Sequence, residues 1–189
     1  RGNANFVDLN RNYPDPEDGP HPDGNAWQAE TIDFMDFAAD MDFVMSSNFH
    51  GGAEVVNYPW DTWPTLAADN DWWVFVSREY ADLVHSNGWP GYFTDLNNGI
   101  TNGYAWYSID GGRQDYMNYF HNCREMTLEL SNAKTPPESQ LNNYWDANYK
   151  SLLAYLNQVR NGLSGTVTNA LTGDGVPAMV WIDGHDMDN

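Results

Sequence analysis

The sequence predicts an α/β fold in which helices flank a sheet, and three observations carry that reading. A helical pattern, "QAETIDFMDFAADM", is followed at once by a short strand-like run, "DFVMSSNFH". A second run, "REMTLELS", alternates Met126, Leu128 and Leu130 with Thr127, Glu129 and Ser131, which is the period of a strand. Between and after these runs lie two long amphipathic patterns, "DNDWWVFVSREYADLVHS" and "SQLNNYWDANYKSLLAYLNQVRNG".

Taken in order, residues 12 to 27 hold four prolines and two glycines among acids and read as an extended surface segment. The first helix places Ile32, Met35 and Ala39 at helical spacing, and the buried strand after it ends on His50. "GGAEVVNYPWD" then reads as a loop. The second helix puts Trp72, Trp73, Val76, Tyr80, Leu83 and Val84 on one face, with Asp69 or Asn70 as its cap. The Gly- and Asn-rich stretch that follows has no steady period and reads as long loops. In the last helix Leu141, Trp145, Leu152, Tyr155, Leu156 and Val159 are expected inward, and Gly162 is the stop signal. Two β-rich runs around "LTGDGVP", a hairpin signal, place a boundary near residue 163. The 27 residues beyond it are too few to fold alone.

The composition bounds the function. With 27 acidic residues against 8 Lys and Arg the formal net charge is −19, which repels phosphate backbones and excludes nucleic acid as a partner, while a cationic ligand suits it. Solubility explains such acidity equally well. The single cysteine, Cys123, forms no intrachain disulfide and reads as a buried structural thiol. No run of 18 apolar residues suggests a membrane span, and no signal peptide is visible in the opening "RGNANFVDLN".

Among the five histidines, His121 with Glu125 and His185 with Asp188 have ligand-like spacing. The first pair lies where strand periodicity begins, and the second lies at the end of the chain. His21 and His85 read as solvated surface residues. His50 differs, because a strand end followed by Gly-Gly leaves room for a ligand, although a structural histidine fits the spacing too. Glu129, inside an apolar run, is either a paired structural acid or a general base. Arg11 in "VDLNRNYP" suits bidentate capture of a carboxylate, and equally an ordinary salt bridge.

Four blocks, "DLNRNYP", "NFHGGAEVVNYPWD", "GITNGYAWYSIDGGRQDY" and "NCREMTLELS", together resemble the zinc metallocarboxypeptidase family. Within it they resemble the regulatory subfamily of carboxypeptidases N, E, D and M. The resemblance implies a mixed twisted sheet flanked by helices over residues 1 to 162. It also implies that residues 163 to 189 begin a transthyretin-like β-sandwich, left incomplete. It implies an exopeptidase that releases C-terminal Lys or Arg from peptides and proteins, dependent on one Zn2+, and a secreted, periplasmic or cell-surface location. His50 would be the third zinc ligand. Asn10 and Arg11 would hold the substrate's terminal carboxylate, and Tyr107 would close over the bound residue. Asp61 and Gln114 would line the pocket for a basic side chain, which Arg113 would oppose if it pointed inward. Glu129 would be the general base and acid.

The family's His-x-x-Glu pair, which supplies two zinc ligands, and its carbonyl-polarising arginine are expected upstream of Asn10 and are not found here. The chain therefore reads as an N-terminally truncated fragment that is inactive alone. The competing reading is a catalytically silent member that binds peptide or glycan through its Trp- and Tyr-rich surface.

Overall fold

The structure, a computed structural model, describes residues 2–163 and 165–180. A four-stranded mixed sheet has the order β1-β4-β2-β3, built from β1 (Met45–His50), β2 (Ala53–Tyr58), β3 (Ile100–Asn102) and β4 (Arg124–Ser131). β4 runs parallel to β1 and antiparallel to β2, and β2 runs parallel to β3. Helices α1 (Ala29–Met41) and α5 (Arg113–His121) are associated with one face. Helices α2 (Asn70–Asn87) and α6 (Glu138–Asn157) cover the other. Between α2 and α5 come the short helical turns α3 (Asp95–Asn98) and α4 (Gly103–Trp106).

Two clusters hold the layers together. The larger joins Val56, Met126 and Leu128 of the sheet to Trp73, Val76 and Tyr80 of α2 and Tyr155 of α6. The smaller joins Tyr13, Ala38, Tyr116, Met117 and Cys123. Alternation along β4 explains the division: Met126 and Leu128 enter the larger cluster, while Glu125, Thr127 and Glu129 face α5.

The β4 strand and both long helices stand where the sequence places them, but several details differ. β2 lies in what reads as a loop; it is buried throughout, so it shows no polar alternation to mark it as a strand. β1 is only partly buried, because it pairs on one side alone. In α1 the buried positions are Thr31 and Ala38, with Ile32 at 40% exposure. Asp69 does occupy the N-cap position of α2, yet its carboxylate pairs with Arg124 at 3.0 Å and does not cap the helix.

The α6 face is the largest correction. Ala147, Asn148, Ser151 and Tyr155 are buried, whereas Leu141, Trp145, Leu156 and Val159 are each more than half exposed. Small and hydrogen-bonded side chains let α6 sit close against α2: Ser151 Oγ donates to the Tyr80 carbonyl and Tyr80 Oη donates to Asn148 Oδ1. Trp145 and Leu156 line an open groove of about 420 Å³ with Phe49 of β1, while Leu152 and Tyr155 pack against the larger cluster as the sequence places them.

The segment 12–27 forms no helix or strand but is not purely superficial, since Asn12, Tyr13 and Asp15 are buried in it. After α6 and a 3-10 turn ending at Arg160, residues 165–180 form no strand. A reverse turn closes there, with Thr168 bridged to Gly175, and no β-sandwich is seen among the described residues. The end of the second β-rich run, from Trp181, and the His185–Asp188 pair lie outside the described residues.

Candidate active site

The site starts from the crossing between β1 and β2. These strands flank β4, so the chain must step over the C-terminal end of β4 within two residues. Gly51 and Gly52 make that step: Gly52 has φ +132 and its N–H donates to the Ser131 carbonyl at 2.7 Å. His50 is thereby fixed as the last residue of β1, in register with Glu129 on β4. The two side chains meet, Nδ1 to Oε1 at 3.8 Å, with Glu129 nearly fully buried and His50 about a quarter exposed.

That pair is the last rung of a polar ladder on the α5 face of the sheet. In the rungs below, Ser46 Oγ donates to Glu125, and Asn48 Nδ2 donates to Glu125 Oε1 and to Thr127 Oγ1, both at 2.9 Å. Asn57, next to Thr127 on β2, continues the row. A core sheet face lined with polar groups is costly unless each is satisfied.

Asn10 and Arg11 come from a 3-10 turn, Leu9–Arg11, capped by the Asp8 carboxylate on the Asn10 N–H at 3.1 Å. Asn10 Oδ1 accepts the Arg113 N–H at 3.0 Å, which ties the turn to the start of α5. Asn10 and His50 line the same cavity of about 410 Å³, together with Asp8, Gly51, Lys134 and Thr135. Arg11 makes no ion pair within 4 Å among the described residues; its Nη1 donates to the Asn10 carbonyl at 2.6 Å. The ordinary salt bridge open to it from sequence is therefore absent there, and its charge helps to favour the ionised forms of Asp61 and Asp110.

Asp61 is buried on the turn after β2, where Asn57 Nδ2 donates to its Oδ1 at 2.9 Å. The carboxylate packs directly on the Cα of Gly103 and lies beside Gly112, so a side chain at Gly103 would collide with it. Burial pushes the Asp61 carboxyl up to about 6, opposed by the Asn57 hydrogen bond and the Arg11 charge. Gln114 is buried as well; its Oε1 accepts the Thr127 N–H at 2.8 Å, and its Nε2 has no partner among the described residues.

Tyr107 stands at the end of α4, 41% exposed and edge-on to the Trp106 ring. Its loop is tied to the Asp61 turn on both sides, through Tyr104 N–H to the Trp60 carbonyl and Ile109 N–H to the Asp61 carbonyl.

Arg113 does not oppose the pocket with a free charge. Its Nε and Nη2 donate to the fully buried Glu125 at 2.8 and 3.1 Å, Nη2 also reaches the Ser47 carbonyl, and the guanidinium stacks on Phe34.

His121, His85 and Cys123 play structural parts. His121 bonds Tyr116 Oη at 2.8 Å, and His85 bonds the Phe93 carbonyl at 2.8 Å and so is no free surface residue. Cys123 is buried and its thiol is pushed up to about 11 by burial, which leaves it inert.

A family model described as "Zinc carboxypeptidase" matches residues 1–151. The chain belongs to the zinc carboxypeptidase family. It is 37% identical over 191 residues to Carboxypeptidase SOL1 of Arabidopsis thaliana, covering 97% of this chain and 38% of that protein. It is 36% identical over 225 residues to the Carboxypeptidase N catalytic chain of Homo sapiens, covering 99% and 48%. The chain thus spans less than half the length of these relatives. Among solved structures, thrombin activatable fibrinolysis inhibitor superposes with a TM-score of 0.61 at 16% identity, over 82% of this chain and 41% of that one. Carboxypeptidase A from Helicoverpa armigera gives 0.56 at 16% identity, over 82% and 40%. These two share the fold.

The family implies zinc, and the residues described here do not supply a complete site for it. His50 is a suitable ligand, but a zinc centre takes at least three protein donors. The one group of three or more acids, histidines or cysteines close enough to share an ion among the described residues is Asp15, Asp18 and Asp110, away from His50 and Glu129 in sequence and composed of carboxylates alone. Asp15 is occupied already, accepting from Glu17 N–H, Asp18 N–H and Thr62 Oγ on one oxygen and Gly111 N–H on the other. Its geometry is explained without an ion.

One residue that the sequence reading passed over, Asp115, supports the site by accepting the N–H groups of Asp61 and Thr62. Glu125, weighed there with His121 as a ligand pair, is committed to Arg113, while His121 bonds Tyr116. The order Gln114-Asp115 in "GGRQDY" gave no signal, because an acid in the first turn of a helix is ordinarily a solvated residue that favours the helix dipole.

Proposed function

We propose that the complete polypeptide is a metallocarboxypeptidase that hydrolyses the C-terminal peptide bond and releases Lys or Arg. The observation that carries this reading is the meeting of His50 and Glu129 at 3.8 Å at adjacent strand ends, beside the Asn10–Arg11 turn. In this reading His50 contributes one zinc ligand and the other ligands lie outside these 189 residues. Zinc supplies Lewis-acid chemistry when bound. Asn10 and Arg11 hold the terminal carboxylate, Arg11 through the fork that suits two oxygens. Tyr107 covers the bound residue. Glu129 takes a proton from the attacking water and delivers it to the leaving amine.

Asp61 and Gln114 receive the terminal side chain. A buried carboxylate left with a cation as partner favours Lys or Arg, and the acidic surface draws such substrates in. Because the Asp61 carboxyl titrates near 6, preference for a cation grows as pH rises through that value. Residues 163 to 189 are read from the family resemblance as the start of a transthyretin-like β-domain, and its residues 165–180 form one closed turn and no strand. Secretion or a periplasmic or cell-surface location belongs to the same reading. So does inactivity of these residues by themselves, since among the described residues no three-donor set includes His50.

The test is mass spectrometry of peptides ending in Arg, Lys, Phe or Glu, incubated with the complete polypeptide and zinc, with and without a chelator. Chelator-sensitive loss of Arg and Lys alone is expected. Equal loss of Phe refutes the basic pocket, and turnover retained in Glu129→Gln removes Glu129 as the base.

A further inference from the structure

We infer that Asp115 is a specificity-determining positioning residue, which sets the Asp61 carboxylate in place for a cationic side chain; this rests on the proposed basic pocket. The geometry is direct. Asp115 Oδ2 accepts the Asp61 N–H at 2.9 Å and the Thr62 N–H at 2.8 Å, and Oδ1 stands 3.1 Å from the Asp61 N–H. A single buried carboxylate therefore holds two consecutive peptide groups of the turn that carries Asp61.

Such a bond is charge-assisted and short, and the closed turn leaves the Asp61 backbone little freedom. The Asp61 side chain is fixed from its other end by Asn57 Nδ2 and by contact with Gly103. Asp115 itself sits in the first turn of α5, next to Gln114, whose Oε1 is pinned to β4. One helix terminus thus carries a proposed pocket residue, Gln114, and the anchor of the other, Asp61. A shift of α5 would move both together.

An ordinary structural acid would not need this position. The Asp61 turn is already fastened by Thr62 Oγ to Asp15 and by the bonds of its carbonyl neighbours to the Tyr107 loop. Placing a second buried carboxylate beside Asp61 also raises the cost of ionising both. What that arrangement secures is the aim of the Asp61 carboxylate, and a substrate cation is the partner that offsets the repulsion.

The test uses the complete polypeptide with a chelator present, so that binding is read without turnover. N-benzoylglycyl-arginine and N-benzoylglycyl-norleucine are titrated by NMR against wild type, Asp61→Asn and Asp115→Asn. Wild type is expected to prefer the arginine ligand by roughly tenfold or more. Asp61→Asn should remove that preference, and Asp115→Asn should remove most of it while the norleucine ligand binds as before. Preference lost in Asp61→Asn but kept in Asp115→Asn overturns the positioning role alone. No arginine preference in wild type, or one that survives Asp61→Asn, overturns the pocket and the inference with it. A parallel loss of both ligands in Asp115→Asn marks a merely structural residue and likewise overturns the inference. Should that variant fail to fold, amide exchange in wild type decides: protected Asp61 and Thr62 amides are required, and exchange at the rate of exposed loop amides refutes the anchor.

Discussion

Removing Arg113 tests the chain of contacts behind the site. Glu125 is fully buried and takes both donors of the Arg113 fork, with Ser46 and Asn48 as its other donors. Arg113→Met leaves that carboxylate with two neutral donors and no counter-charge. Breaking a buried pair from one side costs about 3–5 kcal/mol, and the surviving donors place this case toward the lower end. Taking about 3–4 kcal/mol at about 2–4 °C per kcal/mol for a chain of this length, the melting temperature should fall by roughly 6–16 °C. Arg113→Lys keeps the charge and loses the fork, and should cost less, about 1–2 kcal/mol. Adding Glu125→Gln to Arg113→Met should recover part of the loss, because the orphaned charge is then gone. Urea unfolding followed by tryptophan fluorescence reads all three. An Arg113→Met cost below about 1 kcal/mol, or a double variant whose losses simply add, would refute the reasoning that the pair compensates buried charge.

Two further outcomes are expected. Asp61 has a folded-state carboxyl raised to about 6 by burial, and Asp115 is raised in the same direction by burial and by Asp61. Between pH 4 and 6 the folded chain therefore holds more protons than the unfolded one, so this contribution to stability is lost as pH rises through that window. The stability of wild type relative to Asp61→Asn should fall by on the order of 2–3 kcal/mol from pH 4 to pH 7, and a flat or rising difference in chemical denaturation contradicts the placement of Asp61. On α6, Leu156→Gln should change stability by no more than about 0.5 kcal/mol because the side chain is 57% exposed. Ser151→Leu, at a fully buried position against α2, should cost about 1–3 kcal/mol. The reverse order would restore the apolar face as the inward one.

By itself the sequence determined the alternation of helix and strand, the β4 strand with Glu129 on its polar side, and His50 at a strand end before two glycines. Those features are local: they rest on residue spacing of two or near 3.6, and on the freedom that glycine has at positive φ. Tertiary structure decided what spacing cannot express. β2 carries no alternation because neighbours bury it on both sides, so its period is silent. α6 turns its small, hydrogen-bonded face inward because Asn148 and Ser151 find partners on α2 and nearby chain, while Trp145, Leu153 and Leu156 are left on the groove. The destination of Arg113 is likewise a long-range matter. Its neighbour in sequence, Gln114, bonds the Thr127 N–H of β4, yet the Arg113 guanidinium is committed to Glu125, and only packing of α5 on β4 brings the two charges together. The same packing puts Asp115 under the Asp61 turn, 54 residues distant in sequence, where no periodic pattern could reveal it.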